Sequence, residues 1–115
     1  MPADCLFCRI LAGELPASQV YSDDAVLAIR DIAPQAPVHV LLISRKHVAS
    51  IRDLTAADQP LMDQICAAAT AVAKQEGVAD DGYRLVMNIG RNGGQTVDHL
   101  HVHLLGGRQM QWPPG

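Results

Sequence analysis

The segment Asp98-His99-Leu100-His101-Val102-His103-Leu104 alternates imidazole with aliphatic side chains. A β-strand sends successive side chains to opposite faces, so this pattern demands a strand with one apolar and one imidazole face. Leu100, Val102 and Leu104 then cover a core, while the three rings share the other side at a spacing of roughly 6.5–7 Å. Three groups that can each carry positive charge repel one another and make poor core material. The half-exposed face of an ordinary strand accounts for them badly, and something must hold the rings.

The rest of the chain supplies the scaffold. Asp4 can cap a short helix over residues 5–12, and Gly13 supplies its left-handed exit. Residues 19–21 and 25–30 read as hairpin strands around Asp23-Asp24. The proline-punctuated loop 31–37 cannot enter a sheet interior and holds Asp31 at a strand exit. Residues 38–44 form an apolar run broken only by His39, which reads as a central strand covered on both faces. The charged stop Arg45-Lys46-His47 ends it. A helical turn is expected over 50–54, and Thr55 with Asp58 resembles a capping pair ahead of a long helix ending near Gly77. Leu61, Ile65, Ala68, Ala69 and Val72 repeat at helical spacing, and Cys66 in that helix reads as a buried, inert thiol. Strands follow over 83–89 and 97–105, joined by the glycine-rich loop 90–95. This order of helix, three strands, long helix and two strands predicts an α+β fold with an antiparallel sheet.

Composition narrows the function. A chain of 115 residues has room for one core, so residues 1–115 read as a single domain. With 49% hydrophobic and 18% charged residues it is neither disordered nor a membrane span. A net charge of −3 and only 3% aromatic residues argue against nucleic acid as a partner. No basic or apolar leader is evident at the N-terminus, so a cytoplasmic location is expected. Three cysteines fit a disulfide framework poorly and point to thiols or metal ligands.

Two chemistries suit the alternating histidines. Neutral imidazoles at alternate positions can share a hydrolytic metal ion, or one can attack an electrophilic phosphorus while its neighbours assist. Upstream, Asn88 and Gly93-Gly94-Gln95-Thr96-Val97 offer backbone N–H groups, an amide and a hydroxyl, a set suited to phosphate oxygens. That context favours the nucleophile.

The stretch from Gly94 to Arg108 resembles the signature of the histidine triad family. The similarity extends through Asp31–His39, Lys46-His47, Gly82-Tyr83-Arg84, Asn88 and the tail Arg108–Gly115. Gly106-Gly107-Arg108 and the Trp-Pro-Pro-Gly ending resemble the Hint branch, the purine nucleoside phosphoramidases. The resemblance implies a five-stranded antiparallel sheet with one short and one long helix, joined across a homodimer into one ten-stranded sheet. It implies that His101 attacks the α-phosphorus of an adenosine 5′-phosphoramidate, AMP-lysine conjugates included, and that water then releases AMP. His103 and His39 take supporting catalytic roles. Asp31 is implied to accept the ribose hydroxyls, Phe7, Ile10 and Ile32 to wall the purine slot, and Asn88, Gln95 and Thr96 to bind the α-phosphate, with Gly94, Val97, His101 and His103 also in the nucleotide site. Thr96 stands where the family often has Ser, Asp98 where it often has an aromatic residue, and Gln111 where it often has His. The tail 109–115 is implied to reach the dimer partner, with Trp112 near its site.

Cys5 and Cys8 lie one helical turn apart and can share a metal, and His47 with His99 would complete a tetrahedral Cys2His2 set. The same positions resemble a zinc site found in some bacterial members. Zinc there would be structural, His99 a ligand, and the catalytic centre metal-free. Two other classes remain open at this point: a metallohydrolase whose triad binds the catalytic ion, and a nucleotide-binding interaction module with vestigial activity.

Overall fold

The computed structural model describes residues 4–115; residues 1–3 of the stretch read for targeting lie outside it. Short helix α1 (Leu6–Leu11) precedes strands β1 (Gln19–Ser22), β2 (Val26–Arg30) and β3 (Val38–Ser44). Two 3-10 turns, Ile51–Asp53 and Ala56–Asp58, lead into the long helix α2 (Gln59–Gln75), followed by β4 (Tyr83–Val86) and β5 (His101–Gly106). The five strands form one antiparallel sheet in the order β1-β2-β3-β5-β4, so the α+β expectation holds.

The register fixes which side chain faces which layer. His101 lies opposite Ile43 and His103 opposite Leu41, and Leu41 in turn opposes Ile29. Leu27, Ile29, Leu41 and Ile43 pack with Phe7 of α1 on one face of the sheet. Val26, Ala28, Val40, Leu42, Val102 and Leu104 turn to the other face and meet Leu61, Ile65, Ala68, Ala69 and Val72 of α2. Central β3 is buried from His39 to Ser44, as expected of a strand covered on both sides.

Several boundaries differ from the sequence reading. Strand β5 begins at His101, not Val97: β3 ends at Ser44, whose N–H on the Leu100 carbonyl is the last backbone bond of that ladder. The His99 ring takes the Ser44 carbonyl instead, and Leu100 N–H donates to Val48. Strand β4 stops at Val86, opposite His103, rather than at Ile89. Helix α1 is capped by Cys5, whose Sγ accepts from Cys8 N–H at 3.4 Å, not by Asp4. The Thr55–Asp58 box closes the turn at 56–58 rather than α2 itself. Cys66 is exposed, not buried, since it sits beside the inward stripe rather than on it.

Candidate active site

On the α1 face the histidines form a chain of directed hydrogen bonds. His101 is buried, and its Nδ1 lies 2.6 Å from the His99 carbonyl oxygen. A carbonyl only accepts, so the neutral ring carries its proton on Nδ1 and leaves the Nε2 lone pair free. Phe7 meets the ring edge-on at a centroid distance of 4.9 Å and restrains its tilt.

The same logic assigns the neighbours. Gln35 N–H donates to His39 Nδ1 at 3.0 Å, which puts the proton of neutral His39 on Nε2. That Nε2–H faces His103 Nδ1 at 2.9 Å, so neutral His103 carries its own proton on Nε2. Burial, reinforced by His101 and His39, pulls His103 down to about 4, and burial also lowers His39 against the pull of Asp31. Near neutral pH both rings are therefore uncharged. Asp31 Oδ2 stands 3.4 Å from His39 Nε2, while Oδ1 accepts from Ala33 N–H and shapes the turn. The carboxylate thus serves both the turn and the histidine relay.

The remaining pocket candidates divide. Gln95 does not present a free amide: Oε1 accepts from Gly90 N–H, and Nε2 donates to Ala49 at 2.6 Å and Val97 at 3.0 Å. It clips the loop before β5 to the segment after β3. Gly94 N–H is likewise committed, to Arg91. Asn88 and Thr96 make no side-chain hydrogen bond among the described residues and keep their polar atoms available. A Cβ on Gly93 would collide with the Ile89 carbonyl, so glycine is what lets this loop close. Phe7 is buried against the sheet, Ile10 and Val97 flank it, and Ile32 is fully exposed. Trp112 is also exposed, on a tail held by an Arg84 hydrogen bond to the Gln111 carbonyl. A cleft of about 450 Å³ lined by Asp4, Cys5, Leu6, His47, Thr96, Val97 and Asp98 adjoins this region. A slightly larger one, about 500 Å³, lies under the tail beside Arg84 and Arg108 and contains no histidine.

Next to His101 the second cluster gathers Cys5, Cys8, His47 and His99, whose ligand atoms lie within 4.8 Å of one another. His47 Nδ1 is 3.0 Å from His99 Nδ1, and the sulfur-to-nitrogen approaches run 3.2–3.6 Å. A tetrahedral zinc ion would give edges of about 3.3 Å between nitrogens and about 3.6 Å between sulfur and nitrogen. His99 Nε2–H is held by the Ser44 carbonyl at 2.6 Å, which turns its Nδ1 lone pair toward the other three donors. Burial drives the Cys8 thiol up to about 11, with Cys5 adding to the rise, so a cation there would supply what the thiolates lack. The donor set fits a closed structural metal.

The family model described as HIT domain matches residues 12–110. The chain belongs to the HIT family. Among solved HIT structures, the HIT family hydrolase from Legionella pneumophila Philadelphia 1 is 53% identical, with a TM-score of 0.95 over 97% of this chain and all of that one. The purine nucleoside phosphoramidase of Escherichia coli (strain K12) is 44% identical over 110 residues, 96% of this chain and 92% of that protein. The 14 kDa zinc-binding protein of Brassica juncea is 49% identical over 115 residues, 97% of this chain and all of that protein. The HIT fold of the neighbours agrees with the expectation from the triad, and the family resemblance read from the sequence is correct.

Sequence reasoning missed the backbone half of this HIT site. Gln35 N–H, the carbonyls of Ser44 and His99, and the Ala49 carbonyl that anchors Gln95 set the tautomers and the loop. Main-chain atoms leave no residue-type signal.

Proposed function

We propose that the protein is a purine nucleoside phosphoramidase that cleaves the P–N bond of adenosine 5′-phosphoramidates, lysine conjugates among them, through a nucleotidyl intermediate on His101. The observation that carries the reading is the proton placement on that ring: Nδ1–H is committed to the His99 carbonyl, so Nε2 is the nucleophilic atom. In the first step a P–Nε2 bond forms and the P–N bond of the substrate breaks. His103 Nε2–H offers a hydrogen bond to the leaving nitrogen or a phosphate oxygen, and the amine takes up one proton from solvent as it departs. Nδ1 of the substituted imidazolium keeps its proton on the His99 carbonyl. In the second step water attacks phosphorus, the P–Nε2 bond breaks, one proton returns to solvent and AMP leaves.

The other residues orient the substrate. Asp31, partly engaged with its own turn, would take the ribose hydroxyls, and Phe7, Ile10 and Ile32 would flank the purine. Thr96 and Asn88 would meet the α-phosphate, with Val97 beside them; Gly94 and Gln95 would act by shaping the loop. Zinc held by Cys5, Cys8, His47 and His99 would be structural, supplying a fixed tetrahedral tie between α1 and the segment before β5. A homodimer joined along the β4 edge is part of the proposal, supported by the open hydrogen-bonding side of that strand and by the exposure of Leu85 and Trp112. No described helix is long and apolar enough to cross a membrane, and a cytoplasmic setting suits the free thiols.

Rapid quenching of the reaction with an adenosine 5′-phosphoramidate, followed by peptide mass spectrometry, tests the reading: an AMP adduct on His101 is expected. Turnover with no adduct on any histidine would sink it. One observation favours a second reading, since donor atoms of Asp31, His39 and His103 also lie close enough to share an ion. That ion would have to displace the His39–His103 hydrogen bond, and it predicts that metal content falls when His103 is replaced.

A further inference from the structure

His101 is held by two groups outside its own strand, and both belong to segments tied into the Cys2His2 cluster. The His99 carbonyl accepts the Nδ1 proton at 2.6 Å, and the edge of Phe7 lies against the ring at 4.9 Å. His99 is itself a ligand candidate, and Phe7 sits between Cys5 and Cys8 on a helix of only six residues. Such a helix is too short to persist through its own hydrogen bonds. Its apolar contribution to the sheet is Phe7 with partial cover from Ile10 and Leu11.

Nor does the segment carrying His99 have a strand to fix it. It lies before β5 and is pinned by Leu100 N–H on Val48, by the Leu100 carbonyl on Ser44, and by the His99 ring between the Ser44 carbonyl and the cysteine–histidine cluster. A close-packed interior transmits strain, so displacement of the buried His99 ring would disturb its peptide group as well.

We propose that the Cys2His2 centre positions the nucleophile: closing it fixes the His99 carbonyl and Phe7 together, and these two lock the tautomer and tilt of His101. The inference rests on His101 being the nucleophile. His99 and Phe7 are positioning residues here, since they act through His101 rather than on phosphate.

The test uses the full chain, as purified, stripped with a chelator, and reloaded with zinc or cobalt(II). Stripping is expected to lower kcat about 10- to 100-fold, the range seen when a group supporting a site residue is lost. KM and AMP affinity should change less than kcat does: Phe7 and Ile10 of α1 flank the purine, but Asp31, Ile32 and Asn88 lie outside the segments that the centre holds. In 15N-histidine spectra the downfield His101 Nδ1–H resonance should broaden or vanish on stripping and return on reloading. His47→Gln should reproduce the stripped state, and added metal should not rescue it.

Unchanged kcat with an intact ring N–H resonance in stripped protein would overturn the coupling. So would global loss of far-UV circular dichroism on stripping, which would make the centre a support of the whole fold, and so would failure of the purified protein to take up metal. A loaded protein with a sharp His101 resonance, a metal-dependent one, but no phosphoramidate turnover would support the coupling while removing the proposed reaction.

Discussion

The two faces of the sheet are built on opposite plans. On the α2 side a seventeen-residue helix lays a continuous apolar stripe over the strands, and the buried residues there are Val, Ala, Leu and Ile. On the α1 side a six-residue helix packs over Leu27, Ile29, Leu41 and Ile43, and the buried polar residues beside them are imidazoles, His39 and His101 among them. One face stabilises the fold by removing apolar surface from water. The other gathers imidazoles instead and is held by directed hydrogen bonds and a cysteine–histidine cluster.

This contrast breaks most sharply at His101. His101→Asn should cost about 10⁴-fold or more in turnover on a phosphoramidate, in line with removal of a covalent nucleophile. AMP binding, metal content and thermal midpoint should stay near the parent values. Residual activity within tenfold of the parent would mean that the α1 face uses a different nucleophile.

The reverse dissociation is expected from Leu42→Ala, on the α2 face, where the side chain is fully buried. Urea titration should show a loss of about 2–5 kcal/mol, while the kcat of the surviving folded protein is unchanged. A kcat loss without a stability loss would show that the two faces are not separate.

Acid should find the α1 face first. Burial lowers His39, His99 and His103 below the ordinary imidazole value, with His103 at about 4. The unfolded chain then binds protons that the folded one refuses, so the contribution of these groups is complete above about pH 6.5 and declines as pH falls toward 4. Thermal midpoints measured across that range should drop before the carboxylates titrate, and His103→Gln should flatten part of the slope. A midpoint that stays level from pH 7 to 4.5 would contradict the depression of these rings by burial.

The smallest effect concerns the tail. Deleting Gln111–Gly115 removes the acceptor for Arg84 and the exposed Trp112, yet touches neither buried cluster. Stability should move by less than about 0.5 kcal/mol, as for surface changes generally. Relative kcat/KM among phosphoramidates with different amines should shift several-fold, and an unchanged ranking would remove the tail from the specificity argument.

The contrast also explains what could be read in advance. The α2 stripe and the continuous β3 run announce themselves through periodicity, because burial acts on side chains at fixed spacing. Alternation at His99, His101 and His103 correctly placed all three rings toward one side, although His99 precedes the strand. Strand limits at Val86 and His101 were illegible because they depend on where each strand parts from its partner, β4 from β5 and β5 from β3, a tertiary event. The Gln95 clip was hidden for a similar reason: an amide in a glycine-rich loop reads as a ligand contact until the Ala49 and Val97 carbonyls are seen beside it. Cys66 shows the converse error, a residue type judged by its usual burial rather than by its angle on the helix.

Strand β5 is inserted between β3 and β4, which both precede it in the chain. During synthesis β3 waits with one edge unpaired and β4 with no partner strand at all, until residues 101–106 have left the ribosome. The same six residues bring His101 and His103. The last strand to be made therefore closes the sheet and delivers two of the clustered rings in one event, so a chain stopped short of it lacks both the finished fold and the nucleophile proposed for it.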